Sequence, residues 1–244
     1  MKKFRLTSVL SILMTFFFVM PAGAVNEKTS HSDQALQKIT FIHYKKGYLR
    51  GEAKKPRSGA SACYAFLGKG VVWKTLPLNY VIDPDNPNNL SESFVANAIY
   101  QASQEWNKYA DRQIFNTYSV DYNSSWDDVK PDGRNEFVFG NYPKGGVIAI
   151  TNIWGYFGGP INSRQIIEYD VMFDTDFNWG DGSANPALMD LQNIATHEIG
   201  HGIGLSDLYE TGCSTETMFG YSYEGDLAKS TLNTGDILGI KQLY

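Results

Sequence analysis

Five residues constrain this chain more than any others: His197-Glu198-Ile199-Gly200-His201. On an α-helix, side chains four residues apart project from one face, so both imidazoles reach a common point. H-E-x-x-H is the spacing that offers two nitrogen ligands to one zinc ion, with a carboxylate beside the first. Histidine is scarce here, with four in 244 residues, so a chance match to this pattern has a probability of about one per cent or less. The same stretch carries a second stripe, Leu188, Leu191, Ala195 and Ile199. A helix apolar on its back and metal-binding on its front belongs against a sheet and beneath a cleft. In this reading Glu198 is the catalytic residue and not a ligand: zinc lowers the pKa of water, and the carboxylate helps that metal-activated water attack a peptide carbonyl.

Gly204 and Asp207 extend the pattern to H-E-x-x-H-x-x-G-x-x-D. Glycine readily takes the left-handed conformation that ends a helix and turns the chain back. The residue three further on then returns beneath the imidazoles. No histidine follows His201, and carboxylate oxygen is an acceptable zinc ligand. His197, His201 and Asp207 are therefore the expected metal ligands. A solvated turn acid is the plainer reading of Asp207, and Glu210, Glu216 and His43 are the competing third ligands.

The rest of the chain supplies the frame. Lys2, Lys3 and Arg5 precede an apolar run from Leu6 to Met20, and Ala22-Gly23-Ala24 ends it in an A-x-A pattern. Residues 1–24 thus read as a secretory signal peptide, too short for a comfortable membrane span, and no second apolar segment of spanning length follows. Residues 25–62 are polar and mixed, with one strand-like piece at 39–42, and read as an N-terminal arm or short pro-segment. Residues 63–244 read as one catalytic domain, with strands at Leu78–Ile82, 136–139, 147–153 and 166–173. Ser91 caps a helix whose Phe94, Ile99, Ala102 and Trp106 share a face. Asn185-Pro186 opens the helix that runs to about Gly204, since proline fits a first helical position. A closing helix is expected over 232–243.

Charge and cysteines narrow the classes further. A formal net charge of -5 is not the footprint of a nucleic-acid binder. Both cysteines, Cys63 and Cys213, lie in the exported part. One disulfide between them is the default in an oxidising compartment. The rival is a Cys63 thiolate on the zinc that keeps a precursor inactive, with Cys213 a small buried residue.

With the extended zinc motif in hand, residues 73–244 resemble the metzincin zinc metallopeptidases, in their matrixin-like branch. Met218 lies where that family has its Met-turn. Phe173-Asp174-x-Asp176-x-x-Trp179, the 98–106 stretch of the first helix and the ending 236–244 also fit. The resemblance implies an α/β (α+β) catalytic domain: a mixed twisted sheet with an active-site helix, a Met-turn and a C-terminal helix. Departures accompany it. The histidines of a structural zinc site are replaced at Ile150 and Met172, so that site should be absent. Phe177 stands where a calcium-binding acid is expected, although Asp174, Asp176 and Asp181 can offer oxygens to Ca2+; a solvated acidic loop is the alternative. An inhibitory cysteine motif is missing, and with Phe219 following Met218 and Tyr221 and Tyr223 nearby, no catalytic tyrosine is assigned.

These readings converge on an exported zinc endopeptidase, extracellular or periplasmic, acting as a monomer on a protein or peptide substrate. The substrate is expected to lie extended along the strand at 166–173, taken as the sheet edge, with a specificity pocket walled by 218–223. The alternative is an exported binding or adhesion module that keeps the fold without turnover, and a third reading is a zinc hydrolase of non-peptide bonds.

Overall fold

The computed structural model describes residues 35–48 and 62–244. The leader expected at 1–24 lies outside the described residues, as does part of the arm at 25–62. Along the chain run β1 (Gln37–Lys45), β2 (Leu78–Ile82), α1 (Glu92–Asn107), β3 (Phe115–Val120), β4 (Glu136–Gly140), β5 (Val147–Tyr156) and β6 (Gln165–Asp174). They are followed by β7 (Trp179–Gly180), β8 (Met189–Asp190), α2 (Leu191–Gly202), β9 (Tyr221–Ser222) and α3 (Thr234–Leu243).

Seven strands form one mixed sheet in the order β3-β2-β4-β6-β5-β1-β9. Neighbours from β3 through β6 are parallel; β5 runs antiparallel to β6, and β1 antiparallel to β5. Helices α1 and α2 pack together in the main core. Ser91 caps α1 by accepting from the Phe94 N–H, and Val95, Ile99, Ala102 and Trp106 are buried. The Trp106 indole donates to the Thr196 carbonyl of α2 at 2.8 Å, so the tryptophan satisfies its polar atom while filling the interhelical space. A smaller apolar cluster of Val138, Val147, Ile150 and Met172 includes Ile42 and Tyr44 from β1 at its border.

Three expectations are corrected. The strand at 166–173 is interior, flanked by β4 and β5, so it is not the edge. The strand-like piece at 39–42 belongs to a nine-residue strand. It pairs along β5 from Gln37 opposite Gly155 to Tyr44 opposite Val147. Finally, α2 begins at Leu191, not at Pro186. The Asp190 carboxylate accepts from the Asn193 N–H at 2.8 Å, and Met189–Asp190 is held beside Trp179–Gly180 as a short parallel pair. Leu188 therefore precedes the helix. The strand β3 was not anticipated; only Phe115 of its six residues is fully buried, so its sequence carries little apolar signal.

Candidate metal centre

Helix α2 presents His197, Glu198 and His201, all buried. The two Nε2 atoms lie 3.2 Å apart, and Asp207 Oδ1 is 3.3 Å from the first and 3.4 Å from the second. Zinc–ligand bonds of about 2.0–2.1 Å in a tetrahedron imply ligand–ligand separations of about 3.3–3.4 Å. The triangle has the size of one tetrahedral face. Asp207 Oδ1 is buried with no hydrogen-bond partner, an orphaned acceptor that a cation would satisfy.

The far side of each imidazole is fixed. His197 Nδ1 lies 2.7 Å from the Thr217 carbonyl, and His201 Nδ1 lies 3.0 Å from the Leu205 carbonyl. A carbonyl oxygen only accepts, so each Nδ1 carries the proton and each Nε2 keeps its lone pair for a metal. Burial, with His43 adding to it, pushes the His197 pKa down to about 3, which keeps that ring neutral.

The return of the chain explains Asp207. Gly204 sits at φ +110 and its N–H donates to the His201 carbonyl. A Cβ there would also press on the Val71 carbonyl at 3.1 Å. Leu205 N–H then donates to Gly200, and Asp207 comes up under the histidines, its Oδ2 accepting from the Tyr209 hydroxyl at 2.9 Å. The competing acids are used elsewhere. Glu216 accepts from the N–H groups of Gly235 and Asp236 at the start of α3, and Glu210 accepts from Tyr209 N–H.

Met218 is buried under this centre. A Cβ built on Gly200 would collide with its sulfur and lie 2.8 Å from the Trp106 ring, so the glycine inside the zinc motif is what admits Met218. Asp236 locks the turn by accepting from Thr217 N–H at 2.7 Å and Met218 N–H at 3.1 Å. The same turn aims the Thr217 carbonyl at His197. Sequence reasoning missed Thr217 and Asp236; Asn233 and Asp236 form a capping box on α3, a signal that announces a helix start and nothing about a metal.

Glu198 has both oxygens engaged. Thr151 Oγ1 on β5 donates to Oε2 at 2.5 Å, and His43 Nδ1 on β1 lies 3.0 Å from Oε1. Burial raises the carboxyl pKa. The ring of His43 is 4.0 Å from that of His197, and Phe41 stacks on His201 at 3.9 Å and 13°. β1 thus lies directly across the two histidines, a position that sequence patterning had not suggested.

The acids proposed for calcium do not gather. Asp174 accepts from Asp176 N–H, and Asp181 from Ser183 and Ala184. Among the described residues, the purely acidic group whose oxygens come within 4.8 Å is Asp127, Asp132 and Glu168. Cys63 and Cys213 are joined in a disulfide, which removes the thiolate alternative.

A family model for the matrixins matches residues 72–244. The chain belongs to the matrixin family. It is similar to the hatching enzyme of Paracentrotus lividus, 25% identical over 193 residues, which cover 78% of this chain and 29% of the relative. It is also similar to the interstitial collagenase of Oryctolagus cuniculus, 27% identical over 193 residues, covering 78% of this chain and 37% of that one. The match thus spans well under half of either relative's own length. In this matrixin, Ile150 and Met172 face each other across β5 and β6 inside the smaller apolar cluster.

Proposed function

We propose that this matrixin is an exported zinc endopeptidase in which His197, His201 and Asp207 hold the metal, Glu198 moves the proton, and residues 25–62 are a pro-segment. The observation that carries the reading is the triangle of two Nε2 atoms and one orphaned carboxylate oxygen with sides of 3.2, 3.3 and 3.4 Å. Zinc bound there supplies Lewis-acid chemistry, acidifying water and polarising the scissile carbonyl.

The residues of the chain do the remainder. Glu198 accepts a proton from the attacking water and delivers it to the departing amide nitrogen as the C–N bond breaks. Thr151 holds one carboxylate oxygen, leaving Oε1 for that traffic once His43 withdraws. With β1 gone, β5 presents a free row of backbone donors and acceptors, to which an extended substrate adds as a strand. The pairing of β1 along β5 and the contact of His43 with Glu198 support reading this arrangement as the latent form.

Export is supported by the leader-like residues 1–24 and by the Cys63–Cys213 disulfide, a feature that persists in oxidising compartments. The relatives' names, a hatching enzyme and a collagenase, support a protein substrate. The experiment is metal analysis of the full-length protein, together with casein digestion by a Phe41→Gly/His43→Gly chain with and without chelator. One zinc per chain and chelator-sensitive digestion are expected. Absence of bound zinc, or digestion indifferent to chelator, overturns the reading.

A further inference from the structure

β1 does more than cover the centre. It runs antiparallel to β5 on one side and parallel to β9 on the other, with Tyr44 opposite Tyr221 and Lys45 opposite Ser222. The chain at its end uses both neighbours: Lys45 N–H donates to the Gly146 carbonyl, and Lys46 N–H, just past the strand, to the Ser222 carbonyl. Any extended polypeptide replacing β1 meets the same two rows of backbone groups, so side chains of β1 mark where side chains of a substrate would fall.

Strand alternation puts Phe41, His43 and Lys45 on one face. The first two lie over His201 and His197. Lys45 reaches beyond them, its Nζ donating to Glu224 Oε1 at 2.6 Å and lying 6.0 Å from the centre of the Phe177 ring. The cleft around it is lined also by Gly146, Asp176 and Asn178. One carboxylate in contact with the ammonium group, an aromatic face beside it and a second carboxylate in the wall of the same cleft make a receptor for a cation. Both partners are about two-thirds covered, at 39% and 30% side-chain exposure, so the pair is less screened than one on open surface.

We infer that Glu224, with Asp176 and Phe177, forms a subsite for a lysine or arginine of the bound polypeptide, and that β1 sits in the cleft as a mimic of such a substrate. The subsite lies two residues C-terminal to the position facing Glu198. This deepens the endopeptidase reading and rests on it, since it assigns that enzyme polypeptides with a basic residue at this place. Phe177, which the family pattern would replace by an acid, then has a use as the aromatic wall.

The test separates binding from turnover. The probe is a fluorescein-labelled peptide with the sequence of residues 37–46, made with either Lys or Ala at the place of Lys45. It is titrated by fluorescence polarisation against the full-length chain carrying Phe41→Gly and His43→Gly to loosen its own strand, and Glu198→Ala to prevent cleavage. The Lys peptide is expected to bind about tenfold more tightly than the Ala peptide, the scale of one hydrogen bond between charged groups. Glu224→Gln should erase the difference, and Glu224→Lys should reverse it. Equal affinities of the two peptides, failure of both to bind, or a gap that survives Glu224→Gln overturns the subsite. Should the loosened chain not fold, as judged by its circular dichroism, Lys45→Glu in the otherwise native sequence opens the same end by repulsion from Glu224 and takes the same titration. A second arm restores Glu198 and maps cut sites in casein. No cutting by a zinc-loaded chain sinks the endopeptidase reading, whereas cutting with no basic enrichment at that position sinks the subsite alone.

Discussion

Thr151 and Glu198 meet across 2.5 Å, hydroxyl to carboxylate, and so join the fifth residue of β5 to α2. In the proposed mechanism this bond orients the base, whose other side-chain partner among the described residues is His43 of β1. Thr151→Val in the strand-loosened chain should lower kcat about tenfold, as loss of one hydrogen bond to a charged group predicts. Zinc stoichiometry should stay unchanged, and Thr151→Ser should recover most of the rate. A valine variant with an unaltered kcat would remove Thr151 from the mechanism.

Glu198 is assigned to proton transfer and not to the metal. Glu198→Ala should therefore lower hydrolysis about 10²–10⁴-fold while bound zinc, measured by elemental analysis, remains at one per chain. Zinc loss in this variant would contradict the assignment.

Asp207 Oδ1 completes the triangle with the two imidazoles that is proposed to hold the metal, and Tyr209 holds its other oxygen. Asp207→Ala should weaken zinc affinity sharply in a competition titration with a chromophoric chelator, and Asp207→His should restore part of it. Tyr209→Phe, removing only the supporting hydroxyl, should cost about 10–100-fold. Full zinc occupancy of Asp207→Ala under mild chelation would place the third ligand elsewhere.

The acids on β6 predict a pH dependence of stability. Burial, opposed by the Gly133 N–H and reinforced by the charges of Asp127 and Asp132, moves Glu168 from 4.5 to about 7. Burial and the neighbouring Glu168 move Asp170 from 3.8 to about 9. Both folded-state values lie above the unfolded ones, so the native state binds more protons between them. Their stabilising contribution is complete below about pH 4 and is lost as pH rises through about 7 and then about 9. Thermal unfolding followed at pH 5, 7 and 8.5 should give a falling Tm, and Glu168→Gln with Asp170→Asn should flatten the slope. A slope that the double substitution leaves unchanged would show that other groups set it.

The Cys63–Cys213 bridge spans a sequence separation of 150. Chain-entropy reasoning for a loop of that size gives about 5 kcal/mol as an upper bound. Thiol titration of the unfolded, unreduced protein should find no free thiol, and reduction should lower Tm by several degrees. A Tm insensitive to reductant would mean that the reduced chain is equally well ordered.

What could be read from the sequence is what depends on near neighbours. The pair His197 and His201 is legible because four residues along a helix fix their geometry. Asp207 followed from a glycine three residues earlier, and α1 from its Ser91 cap and apolar spacing. The edge of the sheet was misplaced because strand order is decided by partners far apart in sequence: β1 and β5 are separated by about a hundred residues, and nothing local in 37–45 announces β5. Thr217 and Asp236 were missed for the same reason, since their service to His197 runs through backbone groups that carry no residue-type signal. The onset of α2 was set too early because Pro186 suits a helix start as well as it suits the turn that it occupies.

While β1 is in place, β5 has strands on both sides. Its departure would strip a ten-residue strand, apolar along most of its length, down to an open border. Such borders recruit other chains. If β1 is the inhibitory segment proposed above, the strand that silences the enzyme also shields β5 from other chains. On that proposal activation and solubility are coupled in opposite directions, and the activated form is the more fragile colloid of the two.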